Sequence, residues 1–135
     1  MSCSITNNPD SWPTGDKVWD VCRAIALAEG ANVAGSNPDR LNNPGDISDG
    51  GLSYGFEVHS GSSVTKFPDK HTGWMALYAK IDNAFVSAKS LVYSPDMTWT
   101  QFAQKYAGDW QNWLNNVTNN LGVSPDNRVG DYFLV

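Results

Sequence analysis

A helical apolar stripe that ends on a carboxylate constrains this chain more than any other feature. Thr14 or Asp16 can cap a helix running to about Glu29. At about 100° per residue, Val18, Val21, Cys22, Ile25, Ala26 and Glu29 fall on one face. A stripe of that kind must be covered by other elements. Glu29 lies within it, at a helix C-terminus, where the dipole disfavours negative charge. A carboxylate so placed is partly withdrawn from water, which favours its neutral form. Gly30 follows and allows the helix to stop sharply, leaving the carboxyl facing a cleft. The ordinary alternative is a last-turn Glu that reaches solvent or pairs with Arg23 or Arg40.

The rest of the chain reads as partners for that helix. Residues 1–13 form an irregular lead-in, and residues 30–52, rich in Gly, Asn and Asp, read as a long ordered loop. A hairpin is predicted from a strand near Ser53–His59, with Tyr54, Phe56 and Val58 on one face, to a strand at Val64–Phe67 ended by Pro68. A second long helix is predicted over about Thr72–Leu91, its buried stripe being Trp74, Tyr78, Ile81, Phe85, Ala88 and Val92. Thr98-x-x-Gln101 is a capping box for a short helix through Tyr106. A last helix spans about Asp109–Leu121, with Gly122 just past its end. Trp110 and Trp113, three apart on it, read first as core, and as sugar-stacking residues only second. The expected fold is therefore α+β, mostly helical, one domain over residues 1–135, with a small antiparallel hairpin between the first two long helices.

Composition narrows the function. The 135 residues carry 14 acidic and nine basic side chains, a net charge of -5. That argues against nucleic acid and against a polybasic membrane contact, both of which draw on clustered Lys and Arg. No apolar run approaches the ~20 residues of a membrane span, so no membrane insertion is expected. The start shows no basic stretch followed by an apolar one, hence no visible secretory signal and no stated export route. Cys3 and Cys22 leave a disulfide and two free thiols equally open. Asp46-x-Ser48-Asp49-Gly50-Gly51-x5-Glu57 partly fits a calcium loop, but Gly50 stands at a ligand position and strand follows where a helix should. No metal or cofactor is expected, and His59 and His71 read as surface or hairpin residues.

Four motifs in order carry a resemblance. They are Ala28-Glu29-Gly30; Pro38-x-Arg40-x-Asn42-Asn43-Pro44-Gly45-Asp46-Ile47; the run Lys66-Phe67-Pro68-Asp69-Lys70-His71-Thr72-Gly73-Trp74-Met75-Ala76-Leu77; and Lys105-Tyr106-Ala107 with Leu121-Gly122-Val123. Together they resemble the lysozyme-like superfamily, in its branch of phage-type and bacterial lytic transglycosylases and muramidases related to goose-type lysozyme. The resemblance implies a lysozyme-like fold. It also implies a substrate, the glycan strands of peptidoglycan, cut between N-acetylmuramic acid and N-acetylglucosamine, in the periplasm or the extracellular wall. Glu29 would be the general acid and then the base. The loop of Asn43 and Asp46 would wall the cleft near that carboxyl. Tyr54 and Tyr106 would contact sugar or orient Glu29. The family usually has Asn where this chain has Asp46, and a second carboxylate there can position water for hydrolysis. Without its help, the muramic acid's own hydroxyl attacks and leaves an anhydro end. Asp49, Glu57 and Asp69 are lesser candidates for that second role. A monomer is expected. The alternative function is a catalytically inactive glycan-binding or virion structural module of the same fold, and the acidic charge leans that way.

Overall fold

The computed structural model describes residues 4–48, 54–59 and 61–134. In chain order come α1 (Lys17–Glu29), the short α2 (Asn37–Arg40), β1 (Phe56–His59), β2 (Ser62–Thr65), α3 (Lys70–Ile81), α4 (Trp99–Tyr106) and α5 (Trp110–Leu121). Single-turn 3-10 segments occupy Pro9–Ser11 and Val129–Phe133. The architecture is α+β, with helices predominating and one two-stranded antiparallel sheet.

Helix α1 is the axis of the molecule. Asp16 caps it by accepting the Trp19 N–H, and Gly30 ends it at φ 84°. Val21, Cys22, Ala24, Ile25 and Ala26 all have no exposed surface, so burial runs around the helix rather than along one stripe. The small Ala24 and Ala26 let neighbours approach, and α3, α5 and the Val129–Phe133 turn all pack on it. Trp12, Trp74, Trp99, Phe102 and Phe85 fill the spaces between helices, with Trp12 on Trp74 at 5.0 Å and Phe85 on Phe102 at 4.8 Å. Trp12, within what the sequence reads as an irregular lead-in, and Val129, after the last helix, are both buried and close the core.

Three further elements depart from their expected form. The 30–52 stretch contains α2, which Ser36 caps and Pro38 enters at its first turn. The hairpin's first strand ends at His59 as expected but begins only at Phe56, and its second lies two residues earlier, so that Phe56 pairs with Thr65 and His59 with Ser62. Its Phe56 and Val58 face stands 48% and 63% exposed. The second long helix stops early. Asp69 caps it, but after Ile81 it widens into a π turn over Asp82–Val86. Ala88 then takes φ 53° and the chain leaves the helix, so Leu91 lies outside it and Val92 is exposed rather than buried. Trp74, Ile81 and Phe85 keep their buried places, whereas Ala88 and Val92 do not. By contrast, α4 opens on the expected capping box of Thr98 and Gln101.

The loop between α2 and the hairpin is held by backbone approach and by one side chain. A Cβ on Gly73 of α3 would lie 1.8 Å from the Asn42 carbonyl oxygen, so only glycine lets α3 meet this loop. Asn42 and Asp46 both adopt left-handed φ of 54°, a conformation Asn and Asp tolerate better than most residues. Buried Asn43 donates to the Ile47 and Thr65 carbonyls at 2.7 and 2.8 Å and accepts the Ile47 N–H at 2.9 Å.

Candidate active site

The C-terminal end of α1, the Asp46 loop, the hairpin and the α4–α5 junction surround a cavity of about 620 Å³. Glu29 and Asp46 both line it. Glu29 is partly buried in its wall, and its Oε2 accepts a hydrogen bond from the Trp113 indole Nε1 at 3.0 Å. Burial is the main reason that the Glu29 carboxyl is pushed up to about 8, the negative charge of Asp46 being the second. The Trp113 bond works in the opposite direction and keeps the shift from being larger. Asp46 stands at the rim, exposed to solvent, yet loss of water around its carboxyl raises its pKa too; His59 opposes that rise. At neutral pH the cavity thus presents one carboxylic acid that holds its proton and a second carboxyl beside it.

Tyr106 braces this arrangement. Its ring stacks on Trp113 with centroids 5.0 Å apart, and its hydroxyl donates to the Gly45 carbonyl at 2.6 Å. Burial and the nearby Glu29 charge hold the phenol far above its ordinary range, so it remains a donor. The chain Gly45–Tyr106–Trp113–Glu29 links the Asp46 loop to the end of α1 through two stacked rings. Trp113 itself is buried, which agrees with its reading as core, but its indole N–H needs a partner there and finds Glu29.

Two residues expected at the cleft do not line it. Asn43 has no exposed surface, and its carboxamide is fully engaged in holding the loop, so it offers a ligand nothing. Tyr54 does not line the cavity; it is 48% exposed and its ring leans on Phe67 at 5.5 Å. Of the lesser carboxylates, Glu57 is gripped by Arg40 through bonds of 2.7 and 2.8 Å, which brings its carboxyl down to about 2. Asp69 caps α3. Asp49 and the middle of the calcium-like segment lie outside the described residues, as does Cys3; Cys22 is a buried free thiol.

Sequence reasoning missed His59, which lines the cavity and bonds Glu57 at 3.0 Å, and also Lys80, Tyr93, Lys105 and Asn112. The strand alternation that put Phe56 and Val58 together also puts Glu57 and His59 on the opposite face. Among the described residues, no group of three or more His, Cys, Asp or Glu is placed to hold a metal ion. No described helix is long and apolar enough to cross a membrane. Compared with protein-family models, with curated proteins and with solved structures, the chain matches none.

Proposed function

We propose that this chain is a peptidoglycan-cleaving glycosidase of lysozyme-like fold that breaks the bond between N-acetylmuramic acid and N-acetylglucosamine, with Glu29 as general acid. The observation that carries the reading is a carboxyl whose proton persists to about pH 8, set in the wall of a 620 Å³ cavity with a second carboxyl facing the same space. Glycoside cleavage needs an acid that is protonated at working pH, to hand its proton to the leaving oxygen as the C–O bond breaks. The Glu29 carboxylate so formed then takes a proton from the incoming nucleophile. Asp46 is suited to orient a water for that step, which yields a reducing end. Attack by the muramic acid's own hydroxyl yields an anhydro end instead. Tyr106 and Trp113 hold Glu29 in register through both halves.

Loss of turbidity of purified peptidoglycan, followed by mass spectrometry of the fragments, tests this. The native chain clears the suspension and Glu29→Gln does not. Clearing by both would remove Glu29 from the mechanism. Clearing by neither would favour an inactive glycan-binding or virion structural module. Anhydro-muramyl ends identify a transglycosylase; reducing ends identify a hydrolase.

A further inference from the structure

A second cavity, of about 390 Å³, opens beside the first where α3 ends. Its lining is Lys80, Asn83, Lys89, Ser90, Val92 and Tyr93, and Lys80 and Tyr93 line the main cavity as well. The two cavities therefore adjoin at these two residues. The chain carries -5 net and has six lysines, yet three of them, Lys80, Lys89 and Lys105, line the two cavities. No carboxylate lines the smaller cavity among the described residues. The neighbouring Asp82 accepts from the Ser87 hydroxyl at 3.1 Å and does not line it. The smaller cavity is thus lined by two lysines and no described carboxylate, on a molecule of net negative charge.

The wall is built rather than incidental. The π turn and the left-handed Ala88 swing the chain back, so that the N–H groups of Lys89 and Ser90 both donate to the Asn83 carbonyl, at 2.7 and 3.2 Å. The Ser90 hydroxyl oxygen accepts the N–H groups of Val92 and Tyr93 at 3.1 and 3.0 Å. Lys80 is steadied over the Tyr93 ring, 5.6 Å from its centroid. The result pairs ammonium groups with an apolar side made by Val92 and Tyr93. A bare phosphate has no use for such an apolar side, whereas a short peptide ending in a carboxylate uses both.

We propose that this cavity is a subsite for a carboxylate-bearing peptide branch of the glycan strand, bound by Lys89 against the apolar side of Val92 while the sugar backbone occupies the main cleft. The inference rests on the glycan-strand reading of that cleft and adds the part of the substrate that gives it selectivity. Lys89 is exposed and lines only the smaller cavity, so its replacement leaves the core and Glu29 untouched.

The test measures binding rather than cleavage. Chain carrying Glu29→Gln is co-sedimented with peptidoglycan freed of phosphate polymers by hydrofluoric acid, either with its stem peptides or stripped of them by an amidase. Adding Lys89→Glu should raise the apparent Kd about 5–10-fold on the peptide-bearing material and less than two-fold on the stripped material. Lys89→Arg should restore near-native binding. Equal weakening on both materials, or none on either, overturns the subsite. So does selectivity that appears only when phosphate polymers are left in place, which would make phosphate the ligand. Native chain that binds with this selectivity but cuts nothing sinks the glycosidase reading and leaves the subsite. Native chain that cuts while Lys89 variants behave alike sinks the subsite alone, and binding to neither material ends both.

Discussion

Glu29 is a destabilising residue in the folded protein at neutral pH, and that is measurable apart from any activity. Its proton is held to about 8 in the folded chain against 4.5 when unfolded. Between those values the folded state binds the extra proton, so stability is fully present below about 4.5 and is lost as pH rises to about 8. The loss is on the order of 4–5 kcal/mol. Glu29→Gln keeps an oxygen to accept the Trp113 N–H and removes the titration. Denaturant unfolding should show it more stable than the native chain at pH 8 by up to about 4 kcal/mol, with the difference shrinking toward pH 5. Trp113→Phe removes the bond that favours the ionised form. The alkaline limb of the pH–rate profile should therefore move to higher pH; movement to lower pH would contradict the arrangement. The carboxyl's anomaly was readable from the sequence because its helical position is arithmetic. The Trp113 contact was not, since it joins two helix ends 84 residues apart.

At the scale of elements, termini and caps were legible, while the loops that turn side chains toward the cleft were not. Asp16, Thr98 and Gly30 act through neighbours within a few residues, so their roles follow from local chemistry, whereas Asp69, read as a lesser candidate carboxylate, caps α3 instead. The early end of α3 does not: its apolar periodicity continues past Val86, but a π turn and Ala88 at φ 53° override it. Asn43 was misjudged for the same reason, because its partners Ile47 and Thr65 meet only once the hairpin is folded. Asn43→Ala leaves those groups unpaired in the interior and should cost about 2–4 kcal/mol of unfolding free energy. If Asn43 served a ligand instead, the same change would weaken substrate binding with stability intact. Gly73→Ala should cost roughly 3 kcal/mol or more, since the clash is with backbone rather than a movable side chain. Thermal unfolding checks both.

Over the whole molecule, pH sets stability from two sides. Asp39, paired with Lys70 at 2.8 Å, the Arg40-bound Glu57 and the cap Asp69 all have lowered carboxyl values, so their contribution is lost as pH falls through them. Glu29 and Asp46 are raised and act in the opposite sense as pH climbs. Thermal scans should give greatest stability near pH 4–5, with a decline toward pH 8 that Glu29→Gln flattens. A maximum at pH 7–8 would contradict that balance. The same contrast allows a direct reading of the site, because Glu29 and Glu57 are the only glutamates in the chain. Labelling glutamate with carbon-13 at the side-chain carboxyl gives two resonances, which the Glu29→Gln variant assigns. Titrated by NMR, the Glu29 signal should shift with a midpoint near 8 and the Glu57 signal near 2; a Glu29 midpoint between 4 and 5 would contradict a proton-holding acid at the end of α1.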